Sequence, residues 1–237
     1  MKKLAIITGT GGGLGRSLSS TLINKGYTVF GYSRTNEIKN TSFYFKKIDL
    51  SNPLEVKKIK LPNTDKEFEE VVLINNAATI GNILPINLKS QDDIIYEYNL
   101  NIIAPSLLCS NFISSYTKSK KIIINISSGA ANNQIASWNN YCAAKSALEM
   151  FTKVLKEEKH KDLKIFSVHP GVIDTNMQEE IRKAKPQFFP LLKKFLQYKQ
   201  YNQLEKPELV AQKILFIIKN SHRISKNIVS VRDIHLK

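Results

Sequence analysis

The sequence predicts an α/β fold: a single domain on a doubly wound, seven-stranded parallel sheet with helices on both faces. Two observations predict it. Short, almost wholly apolar runs, which strands buried on both faces require, alternate along the chain with amphipathic stretches of helical period. The first such run, Leu4 to Ile7, passes directly into Thr8-Gly9-Thr10-Gly11-Gly12-Gly13-Leu14-Gly15 and then into a helical pattern. Strand, glycine turn and helix in that order form an arrangement for binding phosphate.

Size and composition narrow the class. At 237 residues the chain can bury one substantial core, and no linker or repeat divides it. The apolar run after Lys2 and Lys3 is too short for a signal peptide, and no run approaches the roughly 20 apolar residues of a membrane span. A cytoplasmic protein with no membrane partner is expected. Cys109 and Cys142 are the only cysteines, which fits reduced thiols rather than a disulfide framework. A net charge of +15 invites a nucleic-acid partner, because basic surfaces attract phosphate backbones. The cations are mostly lysines spread along the whole chain, however, which describes a solvated surface rather than a binding stripe. Neither nucleic acid nor metal is expected.

In order, Leu4 to Thr8 reads as the first strand and Leu14 to Lys25 as a helix with Leu14, Leu18, Leu22 and Ile23 facing inward. Gly26 ends that helix, and Tyr27 to Tyr32 makes the second strand, followed by Ser33 and Arg34. Phe43 to Ile48 is the third strand, ending at Asp49-Leu50. Pro53 to Glu70 is a charged, weakly helical connection. Val71 to Ile74 is the fourth strand and delivers Asn75-Asn76-Ala77-Ala78. Asp92 to Tyr116 reads as one long amphipathic helix and Lys121 to Ser127 as the fifth strand. The next helix carries Tyr141 and runs on through Ala147, Leu148, Phe151, Val154 and Leu155. Leu163 to Val168 is the sixth strand, opening into His169-Pro170-Gly171-Val172-Ile173-Asp174-Thr175. Residues 176–203 form an irregular apolar stretch that would cover the substrate. Pro207 to Ile218 is a helix, and Ile228 to Val231 the last strand.

The chemistry concentrates after the fifth strand. Tyr141 and Lys145 are four residues apart, so on a helix they share a face and place an ammonium beside a phenol. A fixed cation favours the phenolate, which makes Tyr141 a candidate general acid or base. Ser128 lies at a strand end, positioned to meet the tyrosine across a cleft. Together with the glycine turn, Asn75-Asn76-Ala77-Ala78 and Pro170-Gly171 followed by Thr175, these elements resemble the short-chain dehydrogenase/reductase family over essentially the whole chain. In that family T-G-x-x-x-G-x-G, N-N-A-G, a catalytic Asn, Ser and Y-x-x-x-K, and P-G-x-x-x-T occur in this order.

The resemblance implies a Rossmann-type nucleotide-binding fold and a catalytic set of Ser128, Tyr141, Lys145 and Asn99, the last chosen over Asn101 because of the Leu that follows it. It implies a dinucleotide held by Gly9, Gly13, Leu14, Gly15, Ser33, Arg34, Asp49, Leu50, Asn76, Ala77, Tyr141, Lys145, Pro170, Gly171, Val172 and Thr175. Lys145 would hold the nicotinamide ribose and lower the tyrosine pKa, and Asp49 would accept from the adenine amino group. Ser33-Arg34 stands where an NAD enzyme carries an acid to hold the ribose hydroxyls, so NADP(H) is the expected cofactor. Ser137 to Cys142 and Asp174 to Gln178 look like the sepiapterin reductase and benzil reductase branch. The expected reaction is hydride transfer from NADPH to a ketone or diketone, with Ser128, Trp138, Met177 and Asp233 as substrate contacts. Trp138 either stacks on an aromatic substrate or closes the core beneath Tyr141. His169 is expected to be structural. A homodimer or homotetramer through the Tyr141 helix is implied. The alternatives are a 3-oxoacyl carrier-protein reductase or alcohol dehydrogenase, and, in another class, a non-catalytic dinucleotide sensor.

Overall fold

The structure, a computed structural model, describes residues 2–62 and 68–236. Residues 63–67, within the expected charged connection, lie outside the described residues. Strands β1 (Lys3–Thr8), β2 (Tyr27–Ser33), β3 (Phe43–Lys47), β4 (Glu70–Asn75), β5 (Lys120–Ile126), β6 (Leu163–His169) and β7 (Ile228–Ser230) form one sheet in the order β3-β2-β1-β4-β5-β6-β7. Every pairing is parallel. From β1 the chain winds outward to β3 and then returns to the other side at β4. The carboxyl ends of β1 and β4 therefore border the crevice that a reversal of winding leaves open.

Alternation along each strand sends neighbouring residues into two cores. Ala5 and Ile7 of β1 pack with Leu14, Leu18 and Leu22 of α1 (Gly13–Ile23) and Val210 and Ile214 of α8 (Pro207–Lys219). Leu4 and Ile6 point the other way, onto Leu108, Cys109 and Phe112 of α4 (Ala104–Ser115) and Leu155 of α5 (Asn139–Glu157). Because both faces are covered, the strands can be apolar throughout, which is why they read as unbroken runs. Cys109 is buried in the second core, consistent with a packing role.

Two expectations are corrected. The helix expected over Asp92 to Tyr116 is interrupted: α3 (Gln91–Tyr98) passes into a π-helical turn, Asn99–Ile103, before α4 begins. The Ala104 N–H bonds the Asn99 carbonyl five residues back. Pro105, in the first turn of α4, has no N–H to give residue 101, so the regular ladder cannot run through this point. The stretch 176–203 is not irregular. It contains α6 (Asn176–Arg182) and α7 (Leu192–Gln200). In α7, Leu192 and Phe195 are buried while Lys193 and Lys194 face solvent, a helical i, i+3 pattern that the many lysines mask. The short α2 (Pro53–Lys57) is capped by Asn52, whose side chain accepts from the Leu54 N–H at 3.0 Å. Among the described residues no helix is long and apolar enough to cross a membrane.

A buried ion pair closes the loop between β4 and α3. Lys89 Nζ lies 2.6 Å from Glu97 Oε2, and both side chains are almost wholly enclosed. Glu97 also accepts from Asn140 Nδ2 at 2.8 Å and from the Asn82 N–H at 3.0 Å, which ties the loop to the first turn of α5. Removing one partner of a buried pair strands the other charge in a low dielectric. Lys89→Met should therefore lower stability by about 3 kcal/mol, read as a fall in the urea midpoint; an unchanged midpoint would mean that the amides alone carry Glu97.

Candidate active site

The crevice above β1 and β4 opens into a cavity of about 630 Å³. Its floor is the glycine turn. Gly9 and Gly13 have φ of +74° and +49°, values that residues with a Cβ adopt at a cost. A Cβ on Gly15 would lie 2.1 Å from the Gly9 carbonyl oxygen, so the turn closes only with glycine there. Asn76 braces it, its Nδ2 donating to the carbonyls of Thr8 at 2.9 Å and Gly9 at 3.2 Å. The Thr8 hydroxyl in turn accepts the N–H groups of Asn76 and Ala77. Helix α1 starts with no side-chain cap and no acidic residue in its first turn. Its unpaired N–H groups and the positive end of its dipole thus present an anion site.

The far end of the cavity lies at the carboxyl ends of β2 and β3. The Ser33 hydroxyl bridges to Thr10 Oγ1 at 3.3 Å, and Arg34 is an exposed part of the lining. Among the described residues no carboxylate forms an ion pair with Arg34, whereas Arg16 is engaged by Glu37 at 2.6 Å. Asp49 accepts the hydroxyl and N–H of Ser51. The Ser51 hydroxyl, with the Arg34 charge adding to it, holds this carboxyl below the usual range against the opposing effect of burial.

The reactive groups meet where β5 ends. Ser128 follows the strand, its hydroxyl accepting the Ala130 N–H at 3.1 Å. Tyr141 and Lys145 project from consecutive turns of α5. The Lys145 ammonium donates to the Ile126 carbonyl at 2.8 Å and sits 5.6 Å from the centre of the Tyr141 ring. Burial pushes the phenol up to about 12, partly offset by the Ser128 hydroxyl. Burial also pulls Lys145 down to about 8. The expected lowering of the tyrosine by the lysine is thus not what this enclosed geometry produces. Desolvation disfavours the charged form of each group.

All sixteen residues expected to hold a dinucleotide line this one cavity, as do Ser128, Trp138 and Met177. Two expected site residues are elsewhere. Asn99 does not line the cavity. Asn101 is the inward amide of the π turn, only 1 % exposed, donating to the Thr79 carbonyl at 2.9 Å and accepting the Thr79 N–H at 3.0 Å. Asn101 does not line the cavity either. Asp233 is exposed and outside the lining, and its neighbour Arg232 lines the cavity instead. The 3₁₀ turn Val231–Asp233 that follows β7 sets this alternation.

Trp138 closes the core beside Tyr141 and also reaches the cavity. It is buried, stacks on Phe189 at 5.5 Å, meets Tyr141 edge-on at 5.6 Å and still lines the cavity. Ile80, Ala130, Ile181 and Phe195 complete this aromatic and apolar wall. His169 also lines the cavity, and its Nε2 is hydrogen-bonded to Glu149, which accepts the Ser127 hydroxyl at 3.0 Å. Burial alone would raise Glu149, but the hydrogen bonds from His169, Ser127 and Asn132 hold it below the usual carboxylate range. The pairing of Glu149 with His169 was not readable from the sequence, because a glutamate in a helix and a histidine twenty residues on share no motif.

A nucleotide cradle facing a Ser, Tyr and Lys cluster defines an oxidoreductase fold, and sequence comparison agrees. The sequence model of the family described as short chain dehydrogenase matches residues 3–186, and the chain belongs to that family. It is 35% identical over 238 residues to the benzil reductase ((S)-benzoin forming) of Bacillus cereus, covering 90% of this chain and 92% of that protein. To the sepiapterin reductase of Bos taurus it is 31% identical over 159 residues, 65% of this chain and 58% of that protein. These relatives belong to the branch indicated by the motifs around Tyr141 and Thr175. A solved short chain dehydrogenase/reductase of Saccharomyces cerevisiae shares the fold with a TM-score of 0.82 at 22% identity, over 98% of this chain and 96% of that one.

The depressed Lys145 has a consequence for stability. Between about pH 8 and the lysine's ordinary value of 10.5, the unfolded chain binds more protons than the folded one, so raising the pH there favours the fold. Urea midpoints taken from pH 7.5 to 9.5 should rise for the native protein relative to Lys145→Met, which lacks this group; parallel curves would show that Lys145 titrates normally.

Proposed function

We propose that this protein is an NADPH-dependent carbonyl reductase acting on a ketone or diketone of the aryl diketone or pterin side-chain type. The observation that carries the reading is the meeting of Ser128, Tyr141 and Lys145 with the glycine cradle and an aromatic wall in one cavity. The uncapped α1 terminus and the glycines suit a pyrophosphate. The exposed guanidinium of Arg34, without an ion-pair partner among the described residues and beside Ser33, suits a 2′-phosphate. The identity with a benzil reductase over nine-tenths of both chains supports an aromatic carbonyl substrate, and the Trp138–Phe195 wall offers it matching surface.

A dinucleotide held in the glycine cradle would supply the hydride. Ser128 holds the carbonyl oxygen by hydrogen bonding. Tyr141, kept protonated at neutral pH by burial, gives its proton to that oxygen as negative charge develops there. Lys145 stabilises the phenolate left behind and would hold the ribose of a bound dinucleotide. Asn99 opens the π turn, its carbonyl accepting the Ala104 N–H, and Asn101 holds that turn against the Thr79 backbone. Helices α6 and α7 cover the substrate. Met150 and Val154 are exposed on α5, an apolar face through which a homodimer or homotetramer would form.

Loss of NADPH absorbance in the presence of benzil, sepiapterin, an aliphatic ketone and an acetoacetyl thioester tests the substrate class. Turnover of benzil or sepiapterin is expected; turnover of the thioester alone would replace the reading with fatty-acid chemistry. Tyr141→Phe should lower kcat by about a hundredfold or more while NADPH affinity stays within about twofold, since the phenol's contribution is chemical; retained turnover would remove Tyr141 as the acid.

For Arg34→Ala, KM for NADPH should rise about tenfold and KM for NADH should not change, because only the 2′-phosphate loses a charge-assisted hydrogen bond. Equal effects on the two cofactors would take Arg34 out of the site.

A further inference from the structure

Helix α5 carries Tyr141, Lys145 and Glu149 at intervals of four residues, so the three side chains share one face. The same stretch of helix grips the segment that bears Ser128, on both sides of it. Ahead of Ser128, Lys145 donates to the Ile126 carbonyl at 2.8 Å and Glu149 accepts the Ser127 hydroxyl at 3.0 Å. Beyond it, Ser146 donates to the Ala131 carbonyl and Glu149 accepts from Asn132 Nδ2 at 3.4 Å. Of these three α5 side chains only Glu149 reaches both flanks, its Oε1 taking Ser127 and its Oε2 taking Asn132. His169 of β6 also bonds Oε1. Glu149 and Ser127 are both buried. An apolar side chain would hold α5 to the sheet without desolvating a charge. What a carboxylate adds is two acceptors at a fixed separation, one for each flank of Ser128.

We infer that Glu149 is a positioning residue for the reduction, fixing the Ser128 hydroxyl against the Tyr141 phenol by clamping both flanks of Ser128 to the helix that bears Tyr141. The inference rests on the carbonyl-reductase reading above, in which Ser128 and Tyr141 hold the same oxygen. Glu149 does not line the cavity, so it acts through Ser128 rather than on a substrate. Ser128 is extended backbone between β5 and the 3₁₀ turn Gly129–Asn132. Next to it, a Cβ on Gly129 would meet nothing within 4 Å, so no packing fixes the turn at that residue and the hydrogen bonds from α5 take that part. Two hydroxyls acting on one oxygen lose rate steeply when one is displaced, since about 1 Å of misplacement costs about a hundredfold.

Glu149→Gln keeps the side-chain size and one oxygen but turns the other acceptor into a donor, so it cannot accept from both flanks. On benzil, kcat should fall about tenfold or more while KM for NADPH stays within about twofold, because the glycine cradle is untouched. A double-mutant cycle separates this role from a purely structural one. If Glu149 works through Ser128, the same substitution placed on Ser128→Ala should lower kcat by less than about twofold further. Additive losses, an unchanged kcat, or a change in KM alone would overturn the assignment. Hydrogen exchange reads the clamp without turnover: in Glu149→Gln the amides of residues 129–133 should exchange about tenfold faster and those of residues 9–15 at the native rate. Native rates at 129–133, or faster exchange throughout the chain, would also overturn it. If the native protein reduces none of the carbonyl compounds while Glu149→Gln loosens residues 129–133 alone, the reductase reading fails and the clamp stands. Should Glu149→Gln not fold, Ser127→Ala, which releases the near flank without leaving a buried donor unpaired, is expected to show the same non-additivity with Ser128→Ala.

Discussion

The structure depends on how closely the glycine turn folds back on itself. Gly15 sits where a single methyl group would strike the Gly9 carbonyl, and the Asn76 amide ties that carbonyl to the end of β4. This contact presses the start of α1 onto the sheet at the point where the winding reverses. From it follow the position of the open helix terminus, the depth of the crevice and the distance from the phosphate cradle to the strand end that carries Ser128.

Enclosure also shapes the chemistry. Tyr141 and Lys145 are shifted in opposite senses by one cause, the loss of water around both. The phenol is held protonated and the ammonium becomes easier to deprotonate, so enclosure favours the neutral form of both groups. Behind them the Glu149 and His169 pair and the Glu97 and Lys89 pair bury further charge, each satisfied by hydrogen bonds from α5 or the segments beside it. The helix that bears the reactive groups is therefore anchored at its first turn by Asn140 and midway by Glu149.

Much of this was legible in the residues. Leu4 to Ile7 and Val71 to Ile74 announced buried parallel strands because their faces carry no polar alternation, and the Tyr141 to Lys145 spacing announced a shared helix face because the period of a helix is local. The π turn was not legible as such, although Pro105 marked the place where the ladder had to break. Within that turn Asn101 is buried against the Thr79 backbone. Asp233 failed for a similar reason: after β7 the chain enters a 3₁₀ turn, and one residue of phase moves Arg232 to the cavity and Asp233 to solvent.

The sequence by itself determined what depends on neighbours along the chain: the strands and most helices, the glycine turn, the Tyr and Lys on one face, and membership of the short chain dehydrogenase family. Tertiary structure alone decided what depends on segments far apart meeting. It set the Lys89 and Glu97 pair, the His169 and Glu149 contact, and the packing of α6 and α7 on Trp138. The physical reason is that burial is a property of the assembled fold. A side chain's pKa, its hydrogen-bond partners and its access to a cavity are set by what packs around it, and none of these is encoded by the spacing of its own segment.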